Sequence, residues 1–284
     1  MAKLLEGKTI ALKIQEGIRQ EVRSLGFTPV LAGIITGENS ASETYVESQR
    51  KIAKGLGIDY QLHKMKADIP EEELVAFIEK LNADKLVNGI IVLMPLAPRI
   101  DRKKVIRSIS PDKDAEGIHP ANIGRVLLGK ARIVPCTASA VMELLGYTGI
   151  GLYGKEVVVV GWSEIVGKPV ACLLLEKLAT VSICHIGTSE AGDLEEYVRR
   201  AEVLVVAVGK AGLIKGEWIK QGAVVIDVGI NRIGGKLVGD VDFEKAQERA
   251  SYITPVPGGV GPLTVTMLMR NLVESARFQG KLQG

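Results

Sequence analysis

Cysteine is scarce in this chain. Its three residues, Cys136, Cys172 and Cys184, are irregularly spaced and never form C-x-x-C. That argues against a disulfide framework and suits a reducing compartment. Histidine is equally scarce: His63, His119 and His185 lie far apart without ligand spacing, so no metal site is expected. No block of five or six like charges occurs, and 36 basic against 33 acidic residues give a net charge of only +3. Nucleic-acid binding, which needs a concentrated basic face, is not expected. Also missing is any apolar run of the ~18 residues a spanning helix requires. The opening MAKLLEGKTI reads as neither signal peptide nor anchor, so no membrane partner and a cytoplasmic location are expected. Short repeats and low-complexity segments are absent as well.

What is present is an alternation of strand-like and helix-like segments. Residues 9–25 carry apolar side chains at helical spacing, followed by a buried strand at 29–35 (PVLAGII). A helix is expected over 40–56, with Ser40 or Ser42 as N-cap, then a strand at 58–65 and a helix at 69–81. GIIVL at 89–93 reads as another buried strand. The second half repeats the pattern: strands at 156–160, 180–184, 203–208 and 223–228, with helices at 166–178 and 193–201. Further helices are expected around 121–147 and 261–280. Apolar strands separated by helices imply parallel sheets covered on both faces, hence an α/β fold in two domains. The expected boundaries are 1–145, completed by a C-terminal helix at about 261–284, and 146–260.

Two glycine-rich segments suggest function. VVVVGWSEIVGKP places Gly161 directly after a strand and Gly167 at a helix start. Glycine there lets a backbone approach a pyrophosphate, and a helix N-terminus offers unpaired N–H groups. The pattern is G-x-S-x-x-x-G rather than G-x-G-x-x-G, and an ordinary turn is the alternative. Gly209 and Gly229 likewise end buried strands, where ligands bind in open α/β sheets. The second segment, PVPGGVGPLT at 255–264, combines stiffening prolines with glycines that permit close contact with a flat ligand. One of its proline bonds is a candidate for the cis form.

These segments resemble those of the methylenetetrahydrofolate dehydrogenase/cyclohydrolase family. PVPGGVGPLT is similar to the family's PTPGGVGPMT, and GWSEIVGKP to its GRSxxVGxP. Similar family segments also match PCTA, PDKDAEGIHPANIG, GDVDF and VVAVGKAGLIKGEWIKQGAVVIDVGIN, in order over nearly the whole chain. The resemblance implies an N-terminal catalytic domain, a Rossmann-like C-terminal domain binding NAD or NADP, a tetrahydrofolate derivative in the cleft between them, and a homodimer. It implies two reactions. Hydride passes from 5,10-methylenetetrahydrofolate to a nicotinamide, and water then opens the methenyl cation to 10-formyltetrahydrofolate. Carried onto this sequence, the catalytic positions are Tyr45, Gln49, Leu93 and Glu116. Substrate contacts fall on Tyr45, Leu93 and Glu116 and on Val92, Met94, Pro257, Gly258, Gly259, Val260 and Gly261. Cofactor contacts fall on Gly161, Trp162, Ser163, Val166, Gly167, His185, Ile186, Gly209, Gly229 and Ile230.

The sequence departs from the family at the chemistry. Gln49 replaces the lysine of Tyr-x-x-x-Lys, Leu93 the glutamine of Val-Gln-Leu-Pro, and Glu116 the pterin-binding aspartate. Arg50 and Lys51 point roughly 100° and 200° away from Gln49 around a helix and are not expected to substitute for the lysine. Glutamine cannot titrate, so the hydrolytic step is expected to be weak or absent. Hydride transfer mainly needs alignment and is expected to survive. Trp162 and Ile186 replace the family's arginine and serine. The lost charge-assisted bonds to a 2′-phosphate favour NAD over NADP. Two other readings compete: a non-catalytic folate- or nucleotide-binding paralogue, and an oxidoreductase for a related cyclic amine or imine. Cys136 is expected to be a packed side chain, Trp218 structural, and His185 either cofactor-lining or packed at a strand end.

Overall fold

The computed structural model describes residues 1–37 and 40–281, without the side chains of 40–42 and 281. The suggested Ser40 or Ser42 cap therefore lies outside the described residues. In chain order the elements are β1 (Lys3–Leu4), α1 (Gly7–Ser24), β2 (Val30–Thr36), α2 (Ser40–Leu56), β3 (Asp59–Met65), α3 (Glu71–Ala83) and β4 (Gly89–Val92). Then come α4 (Arg102–Ser108), α5 (Pro120–Leu127), α6 (Cys136–Thr148), β5 (Glu156–Val160), α7 (Gly167–Leu175), β6 (Thr180–Cys184), α8 (Ile186–Glu190) and α9 (Leu194–Arg200). The chain closes with β7 (Val203–Val206), β8 (Val224–Asp227), β9 (Asn231–Ile233), β10 (Lys236–Val238), α10 (Phe243–Arg249), β11 (Tyr252–Ile253) and α11 (Val260–Lys281).

Two compact units emerge. One comprises Lys13–Cys136 and Val265–Gly284, the other Met1–Leu12 and Thr137–Thr264. These bounds differ from the expected 1–145 and 146–260. The first residues group with the second unit because β1 pairs in parallel with β11. A two-residue strand is too short to leave a period in the sequence, and α4, α8, α10 and the β9–β10 hairpin are also short.

In the first unit, β2 lies between β3 and β4, and both pairings are parallel. Ile34, Leu74, Ile78, Ile90 and Val105 form its core. Each such side chain, fully buried, contributes about 1.5–3 kcal/mol. Helix α3 opens with Glu71, Glu72 and Glu73, matching the positive end of its dipole. Its far end is closed by Lys113 Nζ, which donates to the carbonyls of Leu81, Asn82 and Asp84 at 2.6–3.0 Å.

In the second unit, six parallel strands run in the order β1-β11-β8-β7-β5-β6. The valine-rich β5 and β7 supply Val158, Val160, Leu204 and Val206 to the core, with Val225 and Ile253 beside them. β-Branched side chains suit such a doubly covered sheet. The loops that follow β5, β7 and β8 carry Gly161, Gly209 and Gly229.

Candidate active site and dinucleotide site

Tyr45 and Gln49 stand one turn apart on α2, so they share a face. Gln49 is wholly buried. Its Oε1 accepts a hydrogen bond of 2.7 Å from the hydroxyl of Tyr60 on β3. Its Nε2 is buried with no partner within hydrogen-bond distance among the described residues. The hydroxyl of Tyr45, a side chain with its outer face exposed, is raised first by desolvation and then by Cys136 and Glu116, and is lowered by a weak hydrogen-bonding pull from Gln49. Burial also raises the Tyr60 hydroxyl. Leu93 packs with Ile35 and Val46 in a small apolar cluster, against which Tyr60 and Leu62 also lie. Val92 is buried and Met94, half-buried, precedes a cis bond to Pro95. The expected neighbours Tyr45, Gln49 and Leu93 thus occupy one corner, and Gln49 takes its partner from β3 rather than from position 93.

Glu116 belongs to the same unit, on the loop before α5. Asp114 builds that loop: one carboxylate oxygen accepts Gly117 N–H at 3.0 Å, the other His119 N–H and Asn122 Nδ2, each at 2.8 Å. Gly117 turns with φ of 78°, and a side chain there would meet the Val134 backbone. Half-buried Glu116 is pushed up to about 7, first by burial, then by Asp114, with Arg102 opposing. Its carboxylate makes no hydrogen bond among the described residues. Cys136 is a buried packed thiol, raised far above its ordinary pKa by burial and by Glu116. Asn271 on α11 pins it, donating to its Sγ at 3.5 Å and to the Ala115 and Val134 carbonyls at 3.0 and 2.8 Å.

Guanidiniums act on the titrating groups of this corner: Arg102 on Glu116, Arg50 on Tyr60 and Arg270 on Cys136. Arg50 is exposed and paired with Glu47 at 3.4 Å, and Lys51 is exposed. A guanidinium cannot lose its proton in this setting, so none of the three stands in for a titrating lysine.

In the second unit Gly161 takes φ of 126°, and a side chain on it would strike the Ala207 carbonyl. Gly167 abuts the Gly161 carbonyl in the same way. The free amides expected at the start of α7 are largely engaged. Ser163 Oγ accepts from Val166 N–H at 3.1 Å and Gly167 N–H at 3.4 Å, its carbonyl accepts from Lys168 N–H at 3.1 Å, and Pro169 has no N–H. What the turn leaves open to an anion is the exposed Ser163 hydroxyl, with its proton free to donate, and the helix dipole. Trp162 and Ile186 are 57% and 65% exposed, at the ends of β5 and β6. The indole meets His185 edge-on with ring centres 6.2 Å apart, and Lys168 Nζ sits 5.1 Å from the indole centre. His185 is exposed, not packed at its strand end.

Two acids unforeseen from the sequence hold the other strand ends. Asp240, fully buried, accepts Val208 N–H at 2.7 Å and Gly209 N–H at 2.8 Å on one oxygen and Asn231 Nδ2 at 2.9 Å on the other. Asp227 accepts Gly229 N–H, Asp240 N–H and Val241 N–H at 2.9–3.1 Å. Ile230 beyond them is 63% exposed. The sequence signals were an acid inside the apolar run AVVIDV and another after Gly239. The segment Pro257–Gly261 belongs to this unit, entered by a cis Val256–Pro257 bond. It is anchored by the backbone, with Gly7 N–H donating to the Gly258 carbonyl at 2.9 Å and Gly259 N–H to that of Pro255 at 2.8 Å. Gly261 has open space around it, and Val260 is buried at the start of α11.

Residues 5–116 match the family model for the tetrahydrofolate dehydrogenase/cyclohydrolase catalytic domain, and residues 135–280 that family's NAD(P)-binding domain. The bifunctional protein FolD of Geotalea daltonii is 52% identical over 98% of this chain and 99% of its own. That of Bacillus subtilis is 49% identical over 97% and 98%. The bifunctional FolD structure from Campylobacter jejuni superposes with a TM-score of 0.94 at 44% identity, covering 98% of this chain and 99% of its own. The Trypanosoma brucei FolD, complexed with NADP cofactor and inhibitor, gives 0.93 at 40% identity, covering 100% and 99%. On this evidence, sequence and fold together, the chain belongs to the tetrahydrofolate dehydrogenase/cyclohydrolase family.

Proposed function

We propose that this protein oxidises 5,10-methylenetetrahydrofolate to the methenyl form with a nicotinamide cofactor, and that its hydrolytic step is crippled. One observation carries the second half: position 49 holds a buried amide whose oxygen accepts from the Tyr60 hydroxyl, and an amide cannot take up or release a proton near neutrality. A nicotinamide held at the glycine turns after β5 and β7 would supply the hydride acceptor. Tyr45, Leu93 and Met94 give the ligand a largely apolar bed in which donor and acceptor carbons can be aligned. Glu116 pairs with the pterin's amino and ring N–H groups, as the family resemblance suggests. Hydrolysis lacks a lysine to steer protons, help that is worth ~10²–10⁴-fold.

The test is a spectrophotometric assay with methylenetetrahydrofolate. Methenyl product that accumulates and decays no faster than in buffer supports this reading. Rapid decay to the formyl product overturns it. Decay that vanishes in Glu116→Gln would instead make Glu116, the group titrating near neutrality, the working base. No reaction with either cofactor, alongside retained folate binding, would favour a non-catalytic paralogue.

The same assay addresses the cofactor. We propose NAD as the preferred form, because exposed Trp162 and Ile186 offer apolar contact and no charge-assisted bond to a 2′-phosphate. Pairing of two copies through the dinucleotide domain is supported by exposed Ile230 and Ile233 beside and on the β9–β10 hairpin. Light scattering at the mass of a monomer would exclude it.

A further inference from the structure

We propose that Tyr60 is a positioning residue for Gln49: by holding Oε1 it turns the buried amide nitrogen into a fixed, uncharged donor for an acceptor atom of the bound folate, a carbonyl or ring nitrogen. The inference rests on the folate reading of this site.

A fully buried glutamine needs partners at both ends, because an unpaired buried polar group carries the full cost of its desolvation. At the carbonyl end Tyr60 supplies the partner, at 2.7 Å. Leu93, within the apolar cluster, has no polar atom to offer. At the amide end Nε2 has no partner within hydrogen-bond distance among the described residues, although the Gln49 side chain acts on the Tyr45 hydroxyl, which Glu116 also influences. A buried donor left open next to two groups of a ligand site is accounted for when the ligand completes it.

The seat of Tyr60 is built, not incidental. Leu31 of β2 pairs with Tyr60 of β3, and Gly33 lies two residues along on the same strand. A side chain at Gly33 would run into the phenol, with its ring carbon Cζ only 2.8 Å away. Glycine is kept here for space rather than for backbone freedom. The ring it admits places the hydroxyl on Gln49, and without that hydroxyl the amide is free to rotate and no longer presents one defined donor.

The reading makes Gln49 a binding group, with the same contact to substrate in the ground and transition states. Loss of the contact then raises KM and leaves kcat in place. Tetrahydrofolate affinity by fluorescence titration, with steady-state dehydrogenase kinetics, provides the test on four proteins: wild type, Tyr60→Phe, Gln49→Met and the double variant. Tyr60→Phe is expected to weaken tetrahydrofolate binding and raise KM about tenfold, with kcat within about twofold. In the Gln49→Met background the same change is expected to do almost nothing, since the two residues act as one unit. Gly33→Ala, which displaces the ring, is expected to mimic Tyr60→Phe. Equal losses from Tyr60→Phe in both backgrounds would show that Tyr60 acts directly or through general stability, and would overturn the proposal. Binding by Tyr60→Phe within about twofold of wild type would overturn it too. Should Tyr60→Phe fail to fold, Gln49→Met alone decides: a tenfold loss supports the donor, and unchanged affinity refutes it. A wild-type protein that binds no tetrahydrofolate would defeat the functional reading itself. Binding by wild type with no effect of these changes defeats only the role of Tyr60.

Discussion

Glu116 and Asp227, one in each compact unit, are both acids held above their ordinary range by burial, Glu116 up to about 7 and Asp227 up to about 6. Asp227 answers three backbone N–H groups and thereby ties together the turns after β8 and after the β9–β10 hairpin. Glu116 answers none among the described residues, and Asp114 shapes the loop that displays it. The comparison separates two uses of a buried carboxylate. One with its lone pairs filled by amides is a strut, and its titration is a side effect of its burial. On the folate reading proposed above, one left open is kept for the ligand, and its titration bears directly on binding.

The largest effect expected of any change that would break this contrast comes from rebuilding the missing polar pair in the first unit. Gln49→Lys with Leu93→Gln should raise methenyltetrahydrofolate hydrolysis by ~10²–10⁴-fold, read as loss of methenyl absorbance. Gln49→Lys alone should gain far less, because Leu93 leaves the new cation dry and unpaired. If neither changes the rate, titration at position 49 is not what limits hydrolysis.

Next comes removal of a strut. Asp240→Ala should destabilise the fold by about 2–4 kcal/mol in denaturant unfolding, since it orphans two backbone N–H groups and Asn231. It should weaken nicotinamide cofactor binding at the same time by freeing Val208 and Gly209. Cofactor affinity unchanged at reduced stability would detach these turns from the dinucleotide site.

A change of intermediate size concerns the exposed indole. Trp162→Arg should move the ratio of kcat/KM for NADP over NAD upward by about tenfold or more, the worth of one charge-assisted bond. Lys168→Ala should leave NAD use intact. If the same change in the otherwise unaltered protein abolishes NADP use, the lysine above the indole already serves the phosphate.

The smallest expected effect follows pH. Between pH 6 and 8 Glu116 passes from mostly protonated to mostly ionised, so folate affinity should rise by up to about tenfold. Glu116→Gln should flatten that rise. Stability runs the other way: an acid raised in the folded state stabilises fully below its unfolded pKa and loses that contribution as pH rises. For Glu116 the window runs from 4.5 to about 7, and for Asp227 from 3.8 to about 6. Unfolding free energy should therefore fall across this range by about 1–3 kcal/mol on account of Glu116, and less steeply in Glu116→Gln. A wild-type profile that rises over the window would contradict both assignments.

Much of this architecture was legible in the sequence, because each major strand is an unbroken apolar run and each major helix carries its own period. The run VVVV before Gly161, the alternation of buried strands with helices, and the substitutions at 49, 93 and 116 all follow from local patterns and a family resemblance. Local pattern could not show that Tyr60 serves Gln49, that Ser163 occupies the amides opening α7, or that Asp227 and Asp240 hold the glycine turns. Nor could it join the first residues to β11. Periodicity reports which face of an element is apolar. Which polar atom meets which across tens of residues, and how far burial moves a carboxylate, depends on distances and dielectric surroundings that exist only once the chain is packed.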